Sequence, residues 1–424
     1  MDKRISKITN GLKGRITIPS DKSISHRAVI FSSLANGKSV IKNFSKGHDP
    51  LSTLEVCKNL GINYEFINNE LHITSQGRLQ TPENPLYCGN SGTTMRLMAG
   101  VLAGQNFNST LTGDQSLSKR PMKRIIEPLS LMGASIDSND NRAPLKISGA
   151  KLHGIDYTSR LASAQVKSAI LLAGLFADGK TVFTEPYLSR NHTELMLSYM
   201  GADIRTNGLT VEISKSELKP QTIEISGDIS SAAYFIAAGL IVPDSEIILQ
   251  NIGLNPTRTG ILDVLKSMGA DIEILDKRTV SNEITGDLRV CTSDLKSCEI
   301  SGDLIPRLID EIPVIAVLAT QAEGTTVIKN AEDLRNKESD RIRAVVTELK
   351  KLGADIEETQ DGMIINGKTP LKGGAEVDTY NDHRLAMSLY TAGLISEKEI
   401  LIKDFDWINI SFPEFESIFA QISG

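Results

Sequence analysis

The chain has 424 residues, with 46 Lys and Arg against 52 Asp and Glu, and a formal net charge of −6 at pH 7. This acidic balance excludes a general nucleic-acid binder and leaves only local basic clusters to explain. The length predicts two or more domains. Residues 1–14 lack the apolar core of a signal peptide, and the apolar runs are far shorter than the roughly 20 residues of a bilayer span. We therefore expect a cytoplasmic protein without a membrane segment.

The four cysteines and six histidines form no recognisable metal or disulfide pattern. The cysteines contain no CxxC pair, and the histidines contain no HExxH motif. Reduced thiols and the absence of a zinc site are the expectation.

The first predicted helix follows a polar and basic cluster, SDKSISHR, at residues 20–27. A serine and an acidic residue before an apolar run are typical of a helix start, because their side-chain oxygens cap free backbone N–H groups. Lys22 and Arg27 are unusual there, since the positive end of the helix dipole disfavours cations. Two explanations stay open: solvated charges beside an ordinary cap, or a bound anion.

Residues 89–96, GNSGTTMR, predict a second helix start of another kind. Gly89 and Gly92 would let a ligand approach the backbone closely, while Asn90 and Thr93 offer hydrogen bonds. The segment lacks the Lys-Ser/Thr of a P-loop and the spacing of a dinucleotide-binding motif. A simple turn and an anion site both remain open, and a nucleotide site is disfavoured.

Four further polar clusters also precede predicted helices that are apolar on nearly every side. A helix without a polar face must be buried. Segments rich in β-branched residues lie between the helices and predict strands. The clusters begin at Ser163 (SAQVKS), Asp228 (DISSAA), Asp310 (DEIPVI) and Asp382 (DHRLAM).

A repeated phrase of the type Leu/Met-Gly-Ala-x-Ile divides the chain into six units of about seventy residues. Its glycines are Gly61, Gly133, Gly201, Gly269 and Gly353. Each unit is predicted to contain two helices and a few strands in layers, and the sixth is predicted to end in a helix within residues 412–424. If the six buried helices start from equivalent ends, their N-termini would attract a polyanion.

Two of the later clusters add acid–base groups to these helix starts. Asp310 and Glu311 precede one buried helix, and residues 337–341, KESDR, interleave cations with carboxylates. Carboxylates among cations suit general acid–base chemistry. A solvated, salt-bridged helix start would produce the same pattern, so both interpretations stay open.

Seven segments together resemble the 3-phosphoshikimate 1-carboxyvinyltransferase family, also called the 5-enolpyruvylshikimate-3-phosphate (EPSP) synthases. The resemblance covers essentially the whole chain. It implies an α/β protein with the two-domain enolpyruvyl transferase fold, an inside-out α/β barrel of six βαβαββ-type units, three in each domain. The segments are, in order, SDKSISHR, GNSGTTMR, GDQSLSKRPM, SAQVKSA, DEIP, LRNKESDR and YNDHRLAM.

The resemblance also implies how the chain is divided and what it does. One domain would comprise residues 1–18 and 228–424, the other residues 19–227, with the active site in the cleft between them. The reaction would transfer the carboxyvinyl group of phosphoenolpyruvate to the 5-hydroxyl of shikimate 3-phosphate. Phosphate would leave after a tetrahedral intermediate, in a step of chorismate and aromatic amino acid biosynthesis. A monomer without metal or cofactor is implied, and it would bind neither nucleic acid nor membrane.

Site residues follow from the same resemblance, by matching motifs. Asp310 would accept the hydroxyl proton, Glu338 would protonate C3 of phosphoenolpyruvate, and Lys22 would be an accessory proton carrier. The residues expected to bind shikimate 3-phosphate are Lys22, Ser23, Arg27, Ser163, Ala164, Gln165, Asp310 and Lys337. Those expected to bind phosphoenolpyruvate are Lys22, Gly92, Arg120, Gln165, Arg341 and Arg384. Glyphosate would occupy the phosphoenolpyruvate site beside Gly92.

The chain departs from one version of the family pattern at two positions. Ile410 stands where some members carry a Lys, and Ala164 stands where some carry a second Ser. One phosphate contact and one shikimate 3-phosphate contact are therefore in doubt. Lys167 or Arg190 is a candidate to replace them.

Three rival functions share parts of the pattern. UDP-N-acetylglucosamine enolpyruvyl transferases usually have Lys-Asn at the first cluster and a reactive Cys near GDQSLSKRP. Here the pair is Lys22-Ser23, and no cysteine lies between Cys88 and Cys291. A six-unit scaffold would not need carboxylates among arginines, and an RNA 3′-phosphate cyclase, which uses related units, would need a nucleotide and a metal.

Overall fold

A computed structural model describes residues 1–423 as two compact units. The first unit contains residues 1–19 and 226–278 and the chain from residue 284 onward. The second unit contains residues 20–225 and the short segment 279–283. The domain limits expected from the sequence, 18/19 and 227/228, stay a prediction.

Helices in the described chain alternate between long buried ones and more exposed ones. Short 3₁₀ turns lie at Leu117–Lys119, Gly302–Leu304, Glu332–Asn336 and Phe405–Ile410. The α-helices are α1 Lys22–Leu34, α2 His48–Asn59, α3 Gly92–Ala103, α4 Lys123–Leu131, α5 Ala164–Gly174, α6 His192–Tyr199, α7 Ile229–Ile241, α8 Gly260–Ser267, α9 Ile305–Leu308, α10 Ile312–Gln321, α11 Arg341–Lys351, α12 His383–Gly393 and α13 Phe415–Ile422.

The strands are short and form small sheets. They are β1 Lys3–Ile5, β2 Lys13–Thr17, β3 Asn36–Lys42, β4 Asn63–Ile67, β5 Glu70–Gln76, β6 Leu86–Tyr87, β7 Ser109–Thr112, β8 Ser135–Asn139, β9 Arg142–Ser148, β10 Asp156–Thr158, β11 Lys180–Thr184, β12 Ile204–Asn207, β13 Thr210–Ser214, β14 Thr222–Glu224, β15 Glu246–Gly253, β16 Asp271–Val280, β17 Glu283–Cys291, β18 Glu299–Ile300, β19 Gly324–Ile328, β20 Asp355–Glu358, β21 Met363–Gly367, β22 Glu376–Val377 and β23 Ile400–Ile402.

Six sheets confirm the predicted repeat. Within residues 86–148 the order is β6-α3-β7-α4-β8-β9, and the sheet has the strand order β6-β7-β9-β8. The β6–β7 pair is parallel, and the β7–β9 and β9–β8 pairs are antiparallel. This repeat of about seventy residues therefore joins a crossover helix to a hairpin. Four other sheets repeat this four-stranded plan, and the sixth has three strands, in the order β1-β23-β22.

Two strands explain why the units are discontinuous in sequence. Near the N-terminus, β2 pairs in parallel with β15 of the first unit. After the chain has passed through the second unit, β14 pairs in parallel with β3 near that unit's beginning. The chain therefore passes from one unit to the other just after β2 and just after β14, two strands whose partners lie far away in the sequence.

The buried helices are the six that the sequence predicts: α1, α3, α5, α7, α10 and α12. In α1 every residue from Ile24 to Leu34 is buried, and only Lys22 and Ser23 are partly exposed. In α5 the first two residues are likewise the only ones that are not buried. Each unit has its own hydrophobic core around three of these helices. Solvent reaches such helices mainly at their ends.

The repeated glycines end the outer helices. Gly61, Gly133, Gly201, Gly269 and Gly353 all have positive φ, from 78° to 98°. Glycine adopts this left-handed conformation without a steric penalty and ends helices for that reason. The predicted last helix is present as α13, and Gly424 lies outside the described residues.

Close packing of α3 against α5 sets the spacing of two predicted binding segments. A Cβ added to Gly100 of α3 would lie 2.1 Å from the carbonyl oxygen of Ala169 in α5. Backbone cannot move aside as a flexible side chain can. Gly92 begins one of these helices and Gln165 lies in the first turn of the other.

We predict that Gly100→Ala lowers the free energy of unfolding by about 3 kcal/mol, because the helices must separate. Urea denaturation measures the change. Gly208→Ala is the control: its Cβ would meet nothing within 4 Å, although its φ is 58°. That variant should lose only about 1 kcal/mol, from the left-handed backbone alone. Equal losses in the two variants would contradict the packing argument.

Candidate functional site

The predicted site residues fall into two sets, one in each unit. In the second unit they lie at the starts of α1, α3 and α5 and in the segment before α4. In the first unit they lie around the starts of α10, α11 and α12. The second-unit set is Lys22, Ser23, Arg27, Gly92, Arg120, Ser163, Ala164 and Gln165; the first-unit set is Asp310, Lys337, Glu338, Arg341 and Arg384.

Lys22 begins α1 and is held by a carboxylate from the next helix. Asp21 caps α1, accepting a hydrogen bond of 2.8 Å from the backbone N–H of Ile24. The Nζ atom of Lys22 lies 3.1 Å from Oδ2 of Asp49 in α2. Both side chains keep some exposure, 22% for Lys22 and 14% for Asp49. The lysine is thus oriented by an acid and accessible at a helix N-terminus.

The guanidinium group of Arg27 lies back toward the start of its own helix. Its Nη1 atom donates to the carbonyl oxygen of Ser23 over 2.9 Å. Its Nε atom donates to Thr193 over 2.7 Å, and its Nη2 atom donates to Ser168 over 2.8 Å. Side chains in helices point toward the N-terminus, which explains this direction.

Three hydroxyl groups and a histidine connect α1 to the start of α3. His26 Nδ1 lies 2.6 Å from Thr53 Oγ1, which lies 2.7 Å from Thr94 Oγ1. Thr94 donates to Ser91, the residue that caps α3. Burial, with Lys22 adding to it, lowers the pKa of His26 well below its ordinary value. The imidazole is therefore neutral, and the chain of hydrogen bonds fixes the turn before Gly92.

Gly92 and Gln165 face two arginines. A Cβ on Gly92 would lie 3.0 Å from Arg96 and 3.5 Å from Arg120, in each case from an Nη1 atom. Gln165 accepts from Arg96 over 2.5 Å and donates to Thr93 over 2.9 Å. A helix N-terminus without a side chain thus lies beside two guanidinium groups, an arrangement that favours an anion.

Asn90 positions the other arginine of this set. Arg120 donates through Nη2 to the side-chain oxygen of Asn90 over 2.7 Å. The amide nitrogen of Asn90 in turn donates to Asp114 over 2.7 Å. Asp114 also accepts from the backbone of Leu117 and so fixes the loop that carries Arg120.

Ser163 and Ala164 begin α5. Ser163 is the N-cap residue, but its hydroxyl makes no capping hydrogen bond. Both residues are partly exposed. Their role in binding shikimate 3-phosphate stays a prediction.

Arg190 and Lys167, the two residues proposed to replace the missing substrate contacts, differ in the exposure of their side chains. Arg190 is partly exposed and precedes α6. Lys167 has a side chain with 0% exposure, and its Nζ atom lies 2.7 Å from Glu185 and 2.8 Å from Glu194. The ion pairs of Lys167 are already made inside the protein, which counts against a contact with a substrate phosphate. That Lys167 or Arg190 replaces a missing contact stays a prediction.

Arg341 is the centre of the first-unit set, with a side chain that is 1% exposed. Its Nε atom donates to Asp382 over 2.7 Å and its Nη2 atom donates to Glu338 over 2.6 Å. Its Nη1 atom donates to Asp310 over 3.2 Å. Burial lowers the pKa of Arg341, but the three carboxylates, Asp382 foremost, raise it above its ordinary value.

Arg384 shares Asp310 with Arg341. Its Nη2 atom lies 3.6 Å from Oδ2 of Asp310, and its side chain is 11% exposed. Burial opposes the charge of Arg384, but Asp310 is the strongest of the acids that raise its pKa well above the ordinary value. Asp310 therefore lies between two guanidinium groups, which favour its ionised form.

Lys337 lies in the same set. Burial lowers its pKa, Arg341 adds to that shift, and Asp310 opposes it. Its neighbour Glu338 keeps 24% of its side chain exposed. The first unit thus combines accessible carboxylates with cations, as acid–base chemistry requires.

Reasoning from the sequence missed the residues that hold the site residues in place. Asp382 is the main example: it is fully buried, binds Arg341, and caps α12 through the backbone N–H of Arg384. Its place before an apolar helix was a visible signal for capping. Asp49 and Thr193 gave no comparable signal, because their contacts join segments distant in sequence.

Ile410, which stands where some members of the family carry a Lys, is the last residue of the 3₁₀ turn Phe405–Ile410.

No group of three or more His, Cys, Asp or Glu side chains in residues 1–423 is arranged to hold a metal ion. In the same residues, none of the helices has the length and apolar character needed to cross a membrane.

Known proteins match this chain over nearly its whole length. A family model described as EPSP synthase (3-phosphoshikimate 1-carboxyvinyltransferase) matches residues 6–419. The 3-phosphoshikimate 1-carboxyvinyltransferase of Bacillus licheniformis is 54% identical over 411 residues, which is 96% of either chain. The solved structure of an Acinetobacter baumannii EPSP synthase has a TM-score of 0.89 at 41% identity, covering 99% of this chain and 98% of that one. The enolpyruvyl transferase NikO of Streptomyces tendae shares the fold, with a TM-score of 0.79 at 17% identity and coverage of 99% and 96%.

We predict that Asp382→Asn lowers the free energy of unfolding by about 3 kcal/mol at pH 7, because Arg341 loses a buried partner. Burial would raise the pKa of Asp382, but Arg341 holds it below its ordinary value. A carboxyl with a lowered folded-state pKa stabilises the protein above its unfolded pKa, and this contribution disappears as the pH falls. The difference in the free energy of unfolding between wild type and variant should therefore become smaller below about pH 4.

Chemical denaturation of both proteins at several pH values measures this difference. Asp294→Asn is the control, since the side chain of Asp294 is 96% exposed and is paired with Lys368, whose side chain is 59% exposed. It should change stability little at any pH. A difference for Asp382→Asn that stays constant from pH 7 to pH 3 would contradict the assignment.

Proposed function

Because the chain belongs to the EPSP synthase family, we propose that it transfers the carboxyvinyl group of phosphoenolpyruvate to the 5-hydroxyl of shikimate 3-phosphate and releases phosphate. The observation that supports this most strongly is 54% identity over 96% of the chain to an enzyme named for that reaction. The two sets of charged residues supply the chemistry. Four anionic groups, a phosphate and a carboxylate on each substrate, would account for cations at buried helix starts.

Binding of shikimate 3-phosphate is assigned mainly to the second unit. Arg27 and Lys22 would provide charge, and the serine hydroxyls at the starts of α1 and α5 would provide hydrogen bonds. The first unit would contribute the groups nearest the reacting hydroxyl. The proposed residues are Lys22, Ser23, Arg27, Ser163, Ala164, Gln165, Asp310 and Lys337.

Binding of phosphoenolpyruvate is divided between its two charged groups. Its phosphate would lie at the start of α3, where Gly92 leaves room and Arg120 supplies charge. Lys22 and Gln165 would complete that site. Its carboxylate would bind Arg341 and Arg384, whose planar guanidinium groups suit bidentate contacts.

Asp310 is the proposed general base. Its carboxylate is paired with Arg341 at 3.2 Å and Arg384 at 3.6 Å, which keeps it ionised and ready to accept a proton. Its side chain is 14% exposed, so a substrate hydroxyl can reach it. Proton removal would make the 5-hydroxyl oxygen a nucleophile toward C2 of phosphoenolpyruvate.

Glu338 is the proposed acid that protonates C3, and its contact with Arg341 bears on that role. The 2.6 Å hydrogen bond from Arg341 stabilises the ionised carboxylate, which cannot donate a proton. If the carboxylate of phosphoenolpyruvate binds Arg341, it competes with Glu338 for the same Nη2 atom. Substrate binding would then release Glu338 and favour its protonated form.

Lys22 and the helix starts would stabilise the charge of the tetrahedral intermediate and the departing phosphate. Backbone N–H groups at the starts of α1, α3 and α5 are fixed before the reaction, so little reorganisation is needed. Asp49 keeps Lys22 oriented at 3.1 Å and can exchange places with a substrate anion. Lys22 is also the proposed accessory proton carrier.

We further propose that the enzyme acts as a monomer in the cytoplasm. Both residue sets come from one chain, so no second copy is required to supply a catalytic group. Gel filtration with light scattering would test whether the enzyme is a monomer, and fractionation of cells would test whether it is cytoplasmic.

Phosphate release tests the proposed function directly. Purified protein is mixed with phosphoenolpyruvate and shikimate 3-phosphate, and phosphate is measured over time. A parallel reaction replaces shikimate 3-phosphate with UDP-N-acetylglucosamine, the acceptor of the nearest rival function. Release with shikimate 3-phosphate alone is the expected result, and release only with the sugar nucleotide would refute the proposal.

We predict that Asp310→Ala and Glu338→Ala each reduce turnover by about 10²–10⁴-fold, the usual contribution of general acid–base catalysis. Binding of shikimate 3-phosphate, measured by calorimetry, should largely survive, because proton transfer matters most in the transition state. Glu332→Ala is the matched control, since this carboxylate is exposed on the 3₁₀ turn before Glu338. Near-normal turnover in either active-site variant would assign that proton transfer to another group.

We also predict that Gly92→Ala weakens inhibition by glyphosate more than it weakens use of phosphoenolpyruvate. The added methyl would touch Arg96 at 3.0 Å and intrude on the proposed phosphate site. Phosphoenolpyruvate is the shorter ligand and should tolerate the loss of space better. The test is the ratio of the glyphosate inhibition constant to the phosphoenolpyruvate KM in both proteins, and an unchanged ratio would place Gly92 outside the inhibitor's contacts.

A further inference from the structure

Lys167 forms a fully buried ionic cluster in the second unit. Its Nζ atom lies 2.7 Å from Oε1 of Glu185 and 2.8 Å from Oε1 of Glu194. It also donates to the carbonyl oxygen of Ser189 over 3.3 Å. A buried lysine must have such partners, because an unpaired charge in the interior is very unfavourable. The proposed reaction does not use this group.

The partners of Lys167 lie at both ends of one segment, residues 185–194, which joins β11 to α6. Glu185 accepts hydrogen bonds from the backbone N–H of Ser189 over 3.0 Å and from its hydroxyl over 2.5 Å. Glu194 lies in the first turn of α6. Lys167 therefore fixes the segment at its beginning, its middle and its end.

The same segment reaches the guanidinium group of Arg27. Thr193, next to Glu194, lies 2.7 Å from Arg27 Nε. Thr193 and Ser168 are 2.6 Å apart, and Ser168 accepts from Arg27 over 2.8 Å. Two residues adjacent in sequence to the ionic cluster thus set the orientation of Arg27.

Glu194 also attracts Arg27 electrostatically. Burial lowers the pKa of Arg27 to about 10, and Glu194 opposes this shift more than any other charged neighbour. Hydroxyl and carbonyl oxygens, however, are what the guanidinium group of Arg27 actually contacts. The carboxylate that could pair with Arg27 is instead paired with Lys167.

We propose that Lys167 is a positioning residue: by pairing with Glu194, it prevents that carboxylate from capturing Arg27 and leaves the guanidinium group for the anionic substrate. The proposal rests on the proposed role of Arg27 in binding shikimate 3-phosphate. Lys167 and Arg27 balance Glu185 and Glu194. Without Lys167, the buried carboxylate of Glu194 would lose its partner and be drawn to Arg27, and charge-assisted hydrogen bonds in a buried setting are strong.

Two double variants separate this role from general support of the fold. Lys167→Met/Glu194→Gln removes the lysine together with the carboxylate that attracts Arg27. Lys167→Met/Glu185→Gln removes the lysine together with the other carboxylate. Both leave the net charge of the chain unchanged and delete the same types of group. Calorimetry gives the Kd of shikimate 3-phosphate for each folded protein, and thermal unfolding checks its stability.

The expected result is a Kd close to that of the wild type for Lys167→Met/Glu194→Gln. For Lys167→Met/Glu185→Gln, the expected Kd is at least about tenfold weaker, the effect of losing one charge-assisted hydrogen bond to the ligand. Equal Kd values for the two double variants would overturn the proposal. A wild-type protein that fails to bind shikimate 3-phosphate would instead overturn the proposed function.

Single variants extend the test should a double variant fail to fold. Lys167→Arg keeps the positive charge and should bind within a fewfold of the wild type, whereas Lys167→Met should bind at least about tenfold more weakly. For Lys167→Met, the KM for shikimate 3-phosphate should rise by a larger factor than the factor by which kcat falls. Leu145→Ala, a core change in β9 of the same unit, controls for lost stability and should leave the Kd unchanged. Equal binding by the arginine and methionine variants would contradict a role for the charge.

Discussion

Six helices of this chain have no polar face, and this constraint determines where chemistry can occur. A helix buried on every side can meet water only at its ends, so the polar residues of α1, α3 and α5 are confined largely to their first turns. At those turns the free N–H groups and the helix dipole favour anions. Lys22 in the first turn of α1, and the guanidinium group of Arg120 beside the start of α3, add to the same potential. The positions that the fold leaves exposed are also the positions suited to binding phosphates and carboxylates.

Charge balance is the second constraint, and it acts inside the protein before any ligand arrives. Arg341 is paired with three carboxylates and Lys22 with one. These acids hold the cations in place and prevent uncompensated burial of charge. If these cations bind substrate as proposed, a substrate anion must replace an internal partner. The affinity for substrate would then depend on the difference in free energy between two ionic contacts, which is smaller than the attraction of either one. The same exchange can change the protonation of the displaced acid, as proposed for Glu338.

The sequence predicted the architecture well because the relevant signals are local. Glycines with positive φ end outer helices at Gly133 and its equivalents, and all-apolar runs mark the buried helices. The positioning contacts escaped prediction because they join distant segments: Arg27 meets Thr193, and Arg341 meets Asp382. No spacing rule relates residues 166 or 41 positions apart. The helix-start motifs of the site, such as SDKSISHR, could be recognised from the sequence. Asp382, the acid that holds Arg341, could be recognised only as a helix cap.

Three cations at buried helix starts show why residue type and position do not determine a role. Lys22 is the first residue of α1 and stays partly exposed, while Lys167 lies one turn inside α5 and is completely buried. One turn advances a helix by about 5.4 Å, enough to bring a lysine within reach of an interior acid. Arg27 also lies inside its helix, yet it extends back to Ser23 at the first turn. The direction of the side chain, set by which acids the surrounding segments provide, separates the residues proposed to bind substrate from the one proposed to position them.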